Sequence, residues 1–218
     1  ASDRWMMNKR LQYEKETLGF YLSGHPYNQY AKEIGGLVSL RIAELSKHLN
    51  KTVKIAGIIV GIRALKTKRG KPMAIISLDD QSARIDLVAF SEVYEDMREK
   101  LVKDSILFVD GDVAVDDFSG GVRMSATHMI TLEDVRKTYA KRLSLSLDEA
   151  AADAEGLQKI ASLLKPFQGG DCPVRIHYQS SRARGSLLLD KCWSVTLSED
   201  LLNQLRYCLS DDAVVIDY

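Results

Sequence analysis

The sequence predicts a mainly β chain that passes into a smaller α+β module. Two observations carry this. From Lys51 to Ile130, five short extended segments follow one another, the first rich in valine and isoleucine, with turn residues between them and one amphipathic stretch after the third. Beyond Thr131 the rhythm changes, and helical apolar stripes are interleaved with short extended runs. The chain therefore divides into a helical connector over residues 1–50, a β domain over 51–130 and an α+β domain over 131–218.

The connector opens with Asp3 to Leu22, where Met7, Leu11, Leu18 and Leu22 lie near helical spacing. Ser23-Gly24-His25-Pro26 stops it, because glycine and the residue before proline leave the helical region. Two shorter helical stretches, about Asn28 to Ile34 and Ile42 to Leu49, flank Gly35-Gly36. A segment this short buries little by itself.

Val53 to Leu65 predicts a long strand, which Gly57 and Gly61 bend and coil. Pro72 to Leu78 is a second strand, and Asp79-Asp80-Gln81-Ser82 has turn chemistry. Ala83 to Phe90 alternates, with Ala83, Ile85, Leu87 and Ala89 on one face and Arg84 and Asp86 on the other. Ser91 is expected to cap a helix striped by Val93, Met97 and Leu101. Ile106 to Val115 and Gly121 to Ile130 complete the set, with Val122, Met124 and Ala126 facing inward and the loop from Asp116 to Gly121 joining the two. Three strands, a helix, then two strands is the order of an OB-fold, a five-stranded Greek-key barrel. Another small barrel or half a sandwich has the same strand count; the position of the helix favours the OB order.

In the last domain, Thr131 is expected to cap a helix reaching Arg142. Leu143 to Leu147 reads as a strand, and Ala154 to Lys165 as a helix with Leu157, Ile160, Ala161 and Leu164 on one face, ended by Pro166. Pro173 to Tyr178, Gly185 to Leu189 and Cys192 to Thr196 read as strands. Ser198 caps a helix bearing Leu201, Leu202, Leu205 and Leu209, and Ala213 to Tyr218 is a last strand.

Composition narrows the function. The 218 residues carry 30 basic and 30 acidic side chains, so nucleic-acid binding must be local rather than spread over the surface. Cys172, Cys192 and Cys208 form no CxxC pair, which excludes a zinc ribbon or disulfide scaffold and fits reduced thiols in a cytoplasm. No apolar run reaches the roughly 18 residues of a membrane span. His25, His48, His128 and His177 lack metal-ligand spacing, with His128 expected on the inward face or rim of its strand. Asp79-Asp80 and Asp116-Asp117 fall in turns, where aspartate satisfies backbone amides.

One cluster stands out. Lys66, Lys68, Arg69 and Lys71 surround Gly70 between the first two strands, in the loop that borders the oligonucleotide face of an OB-fold. Arg63, Arg84 and Arg123 on neighbouring strands extend the cationic track. Cations meeting phosphates release counterions and bind without sequence preference. Phe118 is the expected stacking aromatic, while Phe90 and Phe108 are assigned to the core. Asp116 and Asp117 beside Phe118 would repel phosphate, so the binding expected is weak and salt-sensitive.

The segment Glu14 to Pro26, EKETLGFYLSGHP, closely resembles the "EKETLG-YLxGHP" string of the alpha subunit of bacterial DNA polymerase III. Val53 to Phe90, the loop Asp116 to Gly121 and Trp193 continue the likeness, which spans essentially the whole chain. The resemblance implies the C-terminal region of a DNA-directed DNA polymerase whose catalytic carboxylates, with their Mg2+, lie upstream; no catalytic residue, metal site or cofactor is expected here. It implies an OB domain on single-stranded template and a last module docking the tau subunit of the clamp loader, with Trp193, Val214, Ile216 and Tyr218 as partner-binding candidates. Some members end in a glutamine-led sliding-clamp motif. The matching segment here begins with Ala213 instead, which counts against clamp binding. The rival reading is an anticodon-binding OB domain of an aminoacyl-tRNA synthetase, a pattern that Ala56 to Asp86 fits loosely; it requires class II catalytic motifs after the barrel, which the last module lacks.

Overall fold

The computed structural model describes residue 17 and residues 26–116, 120–149, 151–181 and 183–218. The helix expected over Asp3 to Leu22 falls, apart from Thr17, outside the described residues, as does Phe118. The chain divides into two compact units, Ala1–Leu132 and Glu133–Tyr218.

The first unit contains a closed barrel of β1 (Thr52–Lys66), β2 (Pro72–Asp79), β3 (Arg84–Ala89), β4 (Ile106–Val115) and β5 (Val122–Thr131), ordered β1-β2-β3-β5-β4. Only β3 and β5 run parallel. This is the OB order. Closure depends on β1, whose first half, Thr52 to Ile58, pairs with β4 while Ile58 to Lys66 pairs with β2. A register shift between Ile59 and Gly61 turns the strand between its two partners, as a bulge does. The alternating apolar residues fill the interior: Ile55, Ile59, Ile76, Leu78, Leu87 and Met124 are all buried, each contributing about 1.5–3 kcal/mol relative to exposure.

The connector packs onto this barrel. A 3-10 turn over Pro26–Gln29, helix α1 (Ala31–Ile34) and a second 3-10 turn over Ile42–His48 replace the two longer helices expected. Ile42 and Leu45 enter the barrel core, and the Ser39 amide donates to the Lys54 carbonyl at 2.9 Å. Helix α2 (Ser91–Met97) presents Met97 to the core. Ser91 is not its cap: Phe90 holds the N-cap position and makes no capping bond from its side chain. His128 also departs from expectation. A shift between Asp110 and Gly111 leaves Thr127 without a counterpart on β4, so Ala126 and Met129 face inward and His128 turns outward to Asp110 at 3.5 Å. A simple two-residue alternation cannot anticipate a bulge.

The second unit is an α+β module. It opens with helix α3 (Leu132–Tyr139), which ends three residues short of the expected Arg142 because Arg142 already opens a strand. Strands β6 (Arg142–Leu147), β8 (Val174–Gln179), β9 (Arg184–Leu188) and β10 (Val214–Asp217) form a sheet ordered β10-β6-β8-β9, with β6 and β8 parallel. Helices α4 (Ala154–Leu164) and α5 (Glu199–Cys208) supply Ile160, Leu164, Leu201, Leu202 and Leu205 to its core. Asp153 and Ser198 cap them, accepting from the amides of Gly156 at 2.7 Å and Leu201 at 3.2 Å. Within the module, the buried Arg136 guanidinium meets Glu199 at 2.7 Å.

One expected strand is absent. Lys191–Trp193 is a 3-10 turn closed by the Cys192 amide donating to Asp190, and only Val195 pairs, bridging to Gln168 and Cys172 of the short strand β7 (Gln168–Cys172). Its sequence, QGGDC, has no apolar alternation to reveal it. Gly170 is required there by close approach, since a Cβ would lie 2.3 Å from the Val195 carbonyl oxygen. The three cysteines are free thiols, and burial pushes the Cys172 thiol up to about 11.

Candidate nucleic-acid interface

The β1–β2 hairpin closes at the pair Lys66–Pro72. Within it the Thr67 amide donates to the Lys71 carbonyl at 2.8 Å, the Gly70 amide to the Thr67 carbonyl at 2.8 Å, and the Lys71 amide to the Thr67 hydroxyl at 3.1 Å. Gly70 sits at φ +77, the left-handed region where a side chain is disfavoured. Backbone groups, Thr67 and one glycine thus hold the turn. The side chains of Lys66, Lys68, Arg69 and Lys71 take no part in it; all four residues are exposed and form no ion pair among the described residues.

The hairpin borders the outer face of β1, β2 and β3. Residues that alternate away from the core put Arg63 and Leu65 on β1, Met73, Ile75 and Ser77 on β2, and Asp86 and Val88 on β3. The register lines up Leu65 with Met73, and Arg63 with Ile75 and Val88. Phe90 continues the pleat one residue beyond β3, with an extended backbone at φ −81, ψ 169, and is 50% exposed. That corrects its assignment to the core: Ala89, buried completely, faces inward, so the next residue faces out. Phe108, 2% exposed, is buried as expected.

The other cations differ from the hairpin four. The Arg63 guanidinium lies 3.4 Å from Asp86, which also accepts from the Ser77 hydroxyl. Arg84 reaches Asp79 at 2.6 Å, and Arg123 is half-buried on β5 opposite Ala114. Arg63 and Arg84 are therefore partly neutralised at the face they border.

The acidic turn Asp79-Asp80 is used structurally. Asp80 Oδ1 accepts from the Ser82 and Ala83 amides at 2.9 and 3.1 Å and from the Ser82 hydroxyl at 2.6 Å, and Oδ2 accepts from the Ile42 amide at 2.9 Å. Burial pushes the neighbouring Tyr27 phenol above its ordinary pKa, the Asp80 charge adds to that, and Arg41 opposes it. Among the described residues no three metal-binding side chains gather, and no helix is long and apolar enough to cross a membrane.

In the module, Trp193 is half-buried against the core. The strand β10 lies at a sheet edge beside β6, with Val215 45% exposed. Val214 is not available to a partner: its side chain is 3% exposed inside the module's own core, because inward residues of β10 pack under α5. Ile216 and Tyr218 are partly exposed, and Lys141 donates to the Tyr218 carbonyl at 2.9 Å.

A closed five-stranded barrel in the order β1-β2-β3-β5-β4 defines an OB-fold protein, and residues 53–132 match the model of the OB-fold nucleic acid binding domain. Residues 159–209 match a second model, DNA polymerase III subunit alpha, C-terminal domain. The DNA polymerase III subunit alpha of Vibrio cholerae is 36% identical over 98% of this chain and 19% of its own length. That of Haemophilus influenzae is 37% identical over 94% of this chain and 18% of its own length, and that of Escherichia coli 37% over 98% and 19%. The chain belongs to the DNA polymerase III subunit alpha family and spans about a fifth of the length of these relatives. The single-stranded DNA binding protein of Thermus aquaticus superposes on 37% of this chain and 39% of its own, with 22% identity and a TM-score of 0.33.

Proposed function

We propose that this part of a replicative polymerase subunit holds single-stranded DNA weakly on its OB barrel, through phosphate contacts from Lys66, Lys68, Arg69 and Lys71. The observation that carries the reading is that the side chains of these four exposed cations make neither an ion pair nor a turn bond among the described residues, beside an open sheet face. Charge without a structural partner is free to replace the counterions of a phosphate chain. Arg63, Arg84 and Arg123 flank the track as secondary contacts. Nucleotidyl transfer belongs to parts of the longer relatives that these residues do not cover, and the setting is the bacterial cytoplasm. The module serves as a docking platform for tau, with Trp193, Ile216 and Tyr218 as contacts. The anticodon-binding alternative is the weaker one, since the module that follows the barrel matches a polymerase family model.

The test is a titration of a fluorescent single-stranded oligonucleotide against the chain at several salt concentrations, with tRNA as competitor. Binding that weakens steeply with salt, and that unlabelled single-stranded DNA displaces at least as well as tRNA, supports the reading. Salt-independent binding, or displacement by tRNA alone, overturns it. Titration with the C-terminal domain of tau tests the docking role separately.

A further inference from the structure

We propose that Phe90, with Met73 and Leu65, forms a shelf on which a base of the bound strand stacks while its phosphates lie on the β1–β2 hairpin. This rests on the single-strand reading above and names what that strand touches besides charge. The register is the starting point. Leu65 pairs with Met73, and the β2–β3 register that sets Ala74 against Ala89 places Phe90 across from Met73. The three side chains therefore form one row across three strands, about 10 Å wide at ordinary strand spacing. The row is immediately followed on β1 and β2 by Lys66 and Pro72, where the hairpin begins.

The Phe90 side chain belongs to neither hydrophobic core. Phe90 is 50% exposed and Leu65 46%, so neither is core. Phe90 also occupies the N-cap position of α2, where Ser, Thr, Asp or Asn would satisfy a free amide, and it makes no such bond. A residue that gives up both a cap and burial breaks local rules in the way functional positions do. The polar neighbours suit a base. Asp86, on the same face, is tied to Ser77 and Arg63, so its charge is compensated where a phosphate would pass. Met73 adds a thioether that packs favourably against an aromatic ring. Aromatic platforms beside a cationic groove bind every base through its π-face.

The experiment compares an oligothymidine with an abasic strand of the same length, so that the phosphates are equal and only the bases differ. The chain binds the oligothymidine about 10-fold more tightly than the abasic strand. Phe90→Ala removes that preference while leaving the salt slope and the thermal melting as they were, and Phe90→Trp keeps it. Equal, salt-dependent affinity for both strands overturns the shelf alone and leaves the hairpin reading standing. A preference retained by Phe90→Ala does the same. Absence of binding to either strand overturns both readings together.

Discussion

The barrel has two neighbouring turns that carry charge in opposite ways. Between β1 and β2, four cationic side chains stand clear of a turn held by backbone bonds, the Thr67 hydroxyl and Gly70. Between β2 and β3, Asp79 and Asp80 are 6% and 2% exposed, and their oxygens are taken by the amides of Gln81, Ser82, Ala83 and Ile42 and by Arg84. Both turns look like charged hairpin tips in a sequence. One spends its charge on folding and the other leaves it for a ligand. A charged residue thus becomes a binding candidate through what it leaves unsatisfied, rather than through its charge.

The largest effect expected from this contrast is on stability. Asp80→Ala strands three backbone donors, including the Ile42 amide that ties the connector to the barrel, and destabilises the first unit by about 3 kcal/mol in urea unfolding. A loss under about 1 kcal/mol would mean that the turn does not depend on its acid. Next, replacing Lys66, Lys68, Arg69 and Lys71 together by Ala weakens single-strand binding about 10-fold, close to 1.4 kcal/mol. It also flattens the log–log salt slope by up to about 3, because each lost phosphate contact removes about 0.7 for single strands. Unfolding stays within about 0.5 kcal/mol of the parent, since the four side chains make no internal bond and alanine keeps the backbone bonds of Lys71. An unchanged salt slope would break the comparison at its ligand side. The smallest effect is at Gly70. Nothing lies within 4 Å of an added Cβ, so Gly70→Ala costs only the left-handed backbone strain, about 1 kcal/mol, which guanidinium unfolding reads directly.

Much of this was legible along the chain. Short apolar runs between turn residues marked all five barrel strands, most clearly the alternation of Ala83, Ile85, Leu87 and Ala89, and the helix after β3 favoured the topology, because inward and outward residues separate at a period of two. Short elements without that contrast were missed. QGGDC became β7 through a close backbone approach at Gly170, and Trp193 lies in a 3-10 turn instead of a strand. The site was half legible. A run of lysines around a glycine is visible to the eye, but Phe90 looked like core, since a phenylalanine after an alternating strand is usually buried.

The order of the barrel strands and the position of the cationic hairpin follow from local pattern: propensity, periodicity and turn chemistry act over a few residues and are written in them. Three things needed the folded chain. The bulge opposite Asp110 turned His128 outward, the pairing of Ala74 with the buried Ala89 left Phe90 exposed just beyond β3, and Asp80 closed onto the distant Ile42 amide. Each depends on which backbone lies opposite which, a relation between residues far apart in sequence that no single segment contains.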